Sequence, residues 1–156
     1  MARWSNFSIW RGRLPHWRAD GVNYYVTFRH RRPLSEDECQ DLFAALLKPQ
    51  GRKWDLQLLC VLPEKTELVA TVEVSLSGET FELSDIVEKA KTKAGKSIIK
   101  SSQERFPPFY GESFDRIIRD EEELATVWES IVESPVKAEL CEDPEDYLFL
   151  WVQTTA

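Results

Sequence analysis

The chain has 156 residues, of which 42% are hydrophobic and 12% aromatic, and its formal net charge is −7. This length suits one folded domain with its own core, and the composition argues against disordered, fibrous and low-complexity proteins. No apolar run approaches the roughly 18 residues of a membrane span, and no signal-type segment follows Met1, which predicts a cytoplasmic protein without a membrane partner. Neither a disulfide framework nor a zinc site is indicated, because the three cysteines are far apart in sequence: Cys39, Cys60 and Cys141.

Positive charge is concentrated at the start of the chain. Residues 1–33 carry seven arginines and one acidic residue, Asp20, a net charge of +6 that leaves −13 for the remainder. This asymmetry is typical of an acidic body with a basic arm for nucleic acid, or of a basic segment that docks on an acidic face of the same chain. The chain is interpreted as one domain, 1–156, in which residues 1–33 form the basic amino-terminal segment and the first strand.

The first half predicts a strand, a helix and a hairpin. Asn23–Arg29 is rich in β-branched and aromatic residues, which favours a strand. Ser35 and Glu38 form a capping box at the start of the next helix. Strands are expected over residues 54–62 and 66–75, and their short connection predicts an antiparallel hairpin. Alternation in the first of these two strands predicts one face with Leu56, Leu58, Cys60 and Leu62.

The second half predicts two helices and a strand. We expect a long helix over residues 84–102, a strand over 113–118, and a last helix that starts at Asp120 and ends at Pro135. The element order predicts the α+β class, with a ferredoxin-like antiparallel sheet covered by helices. Lysines at helical spacing form one face of the long helix, called here the lysine ridge: Lys89, Lys93, Lys96 and Lys100. Such a run is usually a solvated face, and a binding role is the alternative.

Three stretches in the same order carry a family signature. They are Leu-Pro-His-Trp at 14–17 with Tyr-Tyr-Val-Thr-Phe-Arg at 24–29, Glu-Ser-Phe-Asp-Arg-Ile-Ile-Arg-Asp-Glu-Glu at 112–122, and Ser-Pro-Val-Lys-Ala at 134–138 with Glu-Asp-Pro-Glu-Asp-Tyr at 142–147. Together they resemble the REP-associated tyrosine transposases, a branch of the single-tyrosine HUH transposase superfamily. The resemblance implies an HUH transposase-like domain whose partner is single-stranded or hairpin DNA.

The resemblance also implies a metal site, and this chain departs from it. In the family, two histidines flanking a hydrophobic residue hold Mg²⁺ or Mn²⁺, which polarises the scissile phosphate. The matching stretch here, residues 62–68, has Lys65 and Glu67 at the histidine positions. Residues two apart on a strand share a face, and an ammonium group repels a metal ion. We therefore expect an ion pair, no metal site and no cofactor.

The family nucleophile is a tyrosine on the last helix, and its position falls here on Ser130 when counted back from Pro135. A serine hydroxyl is short and is unactivated without a base. The tyrosines of this chain lie on a strand or in loops, and Tyr110, in the loop before the strand over 113–118, is the one candidate for a substitute nucleophile. No Ser–His–Asp arrangement is indicated, because His16 and His30 both lie in the basic opening segment.

These features favour a transposase-family DNA-binding protein that is catalytically degenerate and recognises single-stranded or hairpin DNA. Trp10 or Trp17 could stack on a base. Two alternatives are an active transposase that cleaves and transfers DNA strands with a non-standard nucleophile, and a protein-interaction or regulatory module. A homodimer or a protein partner is also left open. The predicted DNA contacts are the lysine ridge and Arg11, Arg13, Arg18, Arg29, Arg31 and Arg32.

Overall fold

The computed structural model describes residues 23–72 and 83–153. Within them, five strands form one antiparallel sheet in the order β4–β1–β3–β2–β5. The strands are β1 (Asn23–Arg29), β2 (Trp54–Val61), β3 (Lys65–Val72), β4 (Phe114–Ile118) and β5 (Leu150–Val152). The helices are α1 (Glu36–Leu47), α2 (Leu83–Ser102) and α3 (Glu121–Lys137), and a 3-10 turn, Pro144–Asp146, precedes β5. The first four strands with α1 and α2 have the ferredoxin-like order, which confirms the predicted α+β class.

Helices α1 and α2 cover one face of the sheet, called here the helix-paired face, and α3 lies on the other, the α3 face. On the helix-paired face, the ammonium of Lys91 in α2 lies 4.8 Å from the ring centroid of Phe28. The register of β1 and β3 places Thr27 beside Glu67 on the opposite face, where Ser134 of α3 bonds to Glu67. Neighbouring residues of one strand therefore face different environments.

Helices α1 and α3 begin where their capping residues predict, and all three helices bury one apolar side. The Ser35 hydroxyl accepts a hydrogen bond from the Glu38 amide, and the Glu38 carboxylate accepts one from the Ser35 amide. Asp120 caps α3 by accepting from the Glu123 amide. Each fully buried Leu or Ile stabilises the fold by about 1.5–3 kcal/mol. The buried residues that join the helices to the sheet include Leu42, Leu46, Leu68, Ile98, Leu124 and Ile131.

Helix α3 continues beyond Pro135 to Lys137, so the prediction that Pro135 ends it was wrong. A proline inside a helix removes one amide donor and crowds the carbonyl four residues earlier. Here the proline lies in the last turn, where few helical bonds remain to be lost. Its ring is buried, and this packing offsets the missing bond.

Strand β2 contains a bulge that the alternation pattern did not predict. The register with β3 shifts between Leu56 and Leu58, so these two leucines lie on opposite faces and the predicted shared face was wrong. The bulge falls at Gln57, whose carbonyl accepts the amide of Gln153 just after β5. A bulge adds one residue to one strand and thereby reverses the alternation beyond it.

Strand β5 was not predicted, because three residues are too few to show a periodicity. It pairs with β2 and extends the sheet on that side. The Tyr147 hydroxyl just before it donates to the Val61 carbonyl at 2.6 Å. Residues 73–75 of the predicted second hairpin strand lie outside the described residues. Among residues 23–72 and 83–153, no helix combines the length and the apolar character needed to cross a membrane.

Candidate functional site

A cleft of about 500 Å³ lies between the start of β3 and the carboxyl end of α3, and it is called here the α3 cleft. Its walls combine apolar side chains with two lysines, two hydroxyl groups and the carboxylate of Glu64. Two of the residues at the predicted catalytic positions, Lys65 and Ser130, line this one cleft. The residues used below are Leu62, Pro63, Lys65, Ser130, Ser134 and Lys137.

Glu67 adjoins the cleft as a buried carboxylate, with 4% of its surface exposed. Its Oε2 accepts a hydrogen bond from the Tyr25 hydroxyl at 2.7 Å. Its Oε1 accepts one from the Ser134 hydroxyl at 3.0 Å and lies 3.5 Å from the Lys65 ammonium. Burial of a charge is costly unless it is paired and hydrogen-bonded, and both conditions are met here. The carboxylate thereby connects β1, β3 and α3.

The donor set at this position does not fit the divalent metal of the resembling family. Glu67 supplies one carboxylate, both of its oxygens are engaged, and the Lys65 ammonium lies beside it. Mg²⁺ and Mn²⁺ need several oxygen or nitrogen ligands. Within the described ranges, no group of three or more His, Cys, Asp and Glu side chains is arranged to hold a metal ion.

Tyr25 is the tyrosine that the fold brings to Glu67, and it was not among the predicted site residues. Burial, followed by the hydrogen bond to Glu67, raises the pKa of Tyr25 to about 12. The Arg116 guanidinium lies 5.3 Å from the centroid of its ring. The phenol is therefore protonated at neutral pH. Finding it required the cross-strand neighbours of β1 and β3, which follow from topology and not from any local motif.

Tyr110, the predicted substitute nucleophile, and Ser130, at the position of the family tyrosine, lie in different places. Tyr110 is 52% exposed in the loop between α2 and β4, and the preceding Phe109 packs against the rings of Phe28 and His30. It is thus on the side of the helix-paired face, away from the α3 cleft. Ser130 lines the cleft, and its carbonyl accepts the Ser134 hydroxyl at 2.8 Å. The roles assigned to both residues stay predictions.

The arginines of the basic segment also differ in placement. Arg29 is exposed and is the cross-strand partner of Lys65 on the α3 face. Arg32 is held by two carboxylates, with both terminal nitrogens donating to Glu38 at 2.8 Å and Nε donating to Glu104 at 3.1 Å. Arg31 is exposed at the end of β1. The remaining predicted contacts and stacking residues lie outside the described residues: Arg11, Arg13, Arg18, Trp10 and Trp17.

The lysine ridge lies on the outer side of α2 and does not border the α3 cleft. Lys89, Lys93, Lys96 and Lys100 are exposed, while the opposite side of α2 packs on the helix-paired face. Lys48, at the end of α1, lies beside Lys93 and lowers the pKa of that lysine. The ridge and the cleft are therefore two separate surfaces that carry lysines, on opposite sides of the sheet.

His30 and the buried cysteines are structural. Nδ1 of His30 donates to the Pro63 carbonyl at 2.8 Å, because a carbonyl can only accept, and Nε2 accepts from the Thr66 hydroxyl at 2.9 Å. Burial lowers the pKa of His30, so it is neutral at physiological pH. Cys39 and Cys60 are buried, and burial raises the pKa of both thiols, which suits inert thiols. His16 lies outside the described residues.

No protein-family model and no curated protein sequence matches the chain. The solved structures that are similar to it include the following two. The REP-associated tyrosine transposase bound to a REP hairpin has a TM-score of 0.66 and 17% identity, and the match covers 88% of this chain and 81% of that one. A protein assigned as a transposase from Deinococcus radiodurans R1 has a TM-score of 0.48 and 12% identity, covering 76% of this chain and 95% of that one. The first similarity confirms the predicted resemblance at the level of the fold.

Proposed function

We propose that this chain is a transposase-family DNA-binding protein that recognises single-stranded or hairpin DNA without cutting it. The observation that carries the proposal is the α3 cleft, where Lys65, Glu67 and Ser130 lie together within the fold of a transposase. That transposase is bound to a REP hairpin, which suggests the class of ligand.

The side chains at the cleft favour binding over cleavage. Strand cleavage of this kind needs an activated hydroxyl and a group that neutralises charge on the phosphate. The Tyr25 phenol has a pKa of about 12, and Glu67 is engaged by three neighbours. Ser130 lies in the cleft without a histidine base, since the one described histidine, His30, is buried on the helix-paired face.

The same side chains are suited to hold a DNA backbone. Lys65 is 46% exposed despite its contact with Glu67, so its ammonium is accessible to a phosphate. Lys137 lines the cleft, and Arg29 is exposed beside Lys65. Leu62 and Pro63 provide apolar surface for sugars or bases. Cations over an apolar floor are typical of single-strand binding grooves.

The test measures the affinity for a labelled DNA hairpin with a single-stranded foot, by fluorescence anisotropy between about 50 and 200 mM salt. We expect affinity to fall steeply with salt. In the double variant Arg29→Gln/Lys65→Gln, the slope of log K against log salt should be less steep by about 1.4–1.8, or roughly 0.7–0.9 for each phosphate contact that is lost. Failure of the unmodified protein to bind hairpin or single-stranded DNA would contradict the proposal.

The matched control is Lys89→Gln/Lys93→Gln, which removes the same charge from the lysine ridge. We expect its salt slope to equal that of the unmodified protein. A larger loss in this variant than in the cleft variant would place the DNA on α2, as the sequence-based interpretation of the ridge suggested, and would overturn the assignment to the cleft.

One observation keeps an active enzyme as the second candidate, namely the 2.7 Å hydrogen bond between the Tyr25 hydroxyl and the Glu67 carboxylate. A carboxylate next to a phenol could serve as its base. Incubation with labelled single strands and Mg²⁺ or Mn²⁺, followed by denaturing electrophoresis, should reveal no covalent adduct. An adduct that disappears in Tyr25→Phe or Tyr110→Phe would establish catalysis and identify the nucleophile.

A further inference from the structure

The part of the α3 face formed by β1 and β4 presents side chains next to the α3 cleft, and it is called here the open strip. The register places Phe114 opposite Thr27 and Arg116 opposite Tyr25, so all four lie on this face. Glu67 is the partner of Thr27 on the other side of β1. Two strand spacings of about 4.8 Å separate Phe114 from Glu67, a distance of about 10 Å. One bound strand could therefore contact both the cleft and the open strip.

Phe114 is the prominent apolar group of the open strip. Its exposed fraction is 76%, above that of the other exposed large hydrophobic residues, which range from 38% to 61%. It belongs to β4, which pairs with β1 alone among the described strands and exposes four of its five residues. A phenylalanine ring held on a sheet surface offers a flat apolar face of the kind on which bases stack.

Two arginines, Arg116 and Arg29, lie on the same face of the sheet as Phe114. Arg116 lies over the Tyr25 ring and also bonds to Glu123, yet 49% of its side chain is exposed. Arg29 is exposed on β1 of the same face. An apolar peptide would offer no counter-charge to Arg29 or to the exposed half of Arg116, whereas a nucleic acid strand brings a phosphate for each base. Charge complementarity therefore favours a nucleic acid strand as the occupant.

We infer that Phe114 is a stacking platform for an unpaired base of single-stranded DNA, with Arg116 and Arg29 on the adjoining phosphates. The inference rests on the proposed function and specifies which part of the ligand is recognised. Stacking has little dependence on base identity, because every base has a flat face. The open strip thus distinguishes unpaired from paired DNA, since the faces of paired bases are covered by their neighbours.

The experiment compares Phe114→Ala, Phe114→Trp and the unmodified protein on two 12-nucleotide strands, one of thymidines and one abasic throughout. Both strands carry the same phosphates. We expect the unmodified protein to bind the thymidine strand about 10-fold or more tightly than the abasic strand, in the range measured for stacking of one base on an aromatic side chain. Phe114→Ala should lose this preference with an unchanged salt slope, and Phe114→Trp should keep it.

Ile117→Ala is the matched control, because Ile117 is 53% exposed on the same strand but points to the other face. It should bind both strands as the unmodified protein does. If the unmodified protein binds neither strand nor the hairpin, the proposed function fails. If it binds and Phe114→Ala retains the preference, this inference alone fails. A dimer in sedimentation that Phe114→Ala dissociates without altering DNA affinity would overturn the inference in favour of a protein interface.

Discussion

The two faces of the sheet are built from the same strands but differ in what they bury. Along β1, Val26 and Phe28 are almost completely buried under α1 and α2, whereas Tyr25 and Thr27 are half-buried on the α3 face. Because side chains alternate along a strand, every second residue of β1 enters the core under α1 and α2. The residues between them lie on the α3 face, where the proposed ligand site is located.

The faces also treat buried polar groups differently. Thr66 and Glu67 are adjacent in β3, and both are buried. Thr66 belongs to a neutral network with His30 on the helix-paired face, while Glu67 is an ion with three partners on the α3 face. A neutral network tolerates a dry environment, but a charge requires a counter-charge. The α3 face supplies it through Lys65, whose ammonium lies 3.5 Å from Glu67.

The largest expected difference between the faces is in stability. Ile98→Ala empties a fully buried position under the helix-paired face and should lower the free energy of unfolding by about 2–5 kcal/mol. Ile117→Ala removes the same atoms from an exposed position and should change it by less than about 0.5 kcal/mol. Urea denaturation of both variants measures the difference. If both variants lose the same free energy of unfolding, the exposed side of β4 must be covered in solution.

A smaller difference in stability is expected between variants of Arg32 and Arg29, which were both predicted from the sequence to contact DNA. Arg32→Ala breaks the contacts with Glu38 and Glu104, and it should lower the free energy of unfolding by about 1 kcal/mol at pH 7. Arg32 lowers the pKa of Glu38 to about 2 from its ordinary value of 4.5, so this stability is present above pH 4.5 and is lost as pH falls towards 2.

The comparison variant is Arg29→Ala. Its free energy of unfolding should stay within about 0.5 kcal/mol of that of the unmodified protein, and its DNA binding should be weaker. Chemical denaturation at pH 7 and pH 3, together with DNA anisotropy, separates the two effects. If the Arg32→Ala protein is fully folded and its DNA affinity is reduced as strongly as that of Arg29→Ala, the structural role given to Arg32 is wrong.

The smallest effect is a shift in one titration on the α3 face. Glu67→Gln removes the charge next to Tyr25, so the pKa of Tyr25 should fall from about 12 and remain above 10, because burial is the larger cause. The raised pKa stabilises the fold below pH 10, and this contribution disappears as pH rises through about 12. Absorbance at alkaline pH, with Tyr25→Phe to assign the signal, measures the shift. An unchanged pKa would mean that the two groups do not interact.

Much of the fold could be predicted from local patterns. Asn23–Arg29 is a strand with the predicted bounds, and Ser35 and Glu38 form the predicted capping box. The bulge at Gln57 and the passage of α3 through Pro135 could not be predicted, because tertiary packing decides both. In each case a local rule was overridden by contacts far apart in sequence.

Part of the candidate site could also be predicted from local patterns, and part could not. Lys65 and Glu67 could be paired from the sequence, since residues two apart on a strand share a face. Tyr25 and Phe114 could not be assigned to it, because their neighbours depend on the order in which the strands pair. The lysine ridge follows correctly from helical spacing, but its position away from the α3 cleft depends on which face α2 covers.

The contact between Lys65 and Glu67 has a consequence for which anions the α3 cleft retains. An arriving phosphate must compete with a resident carboxylate 3.5 Å from the ammonium. A single phosphate gains little from this exchange, whereas a strand that also reaches Arg29 and Lys137 binds several cations at once. Under the proposed function, the Glu67 carboxylate would therefore favour oligonucleotides over free nucleotides and inorganic phosphate.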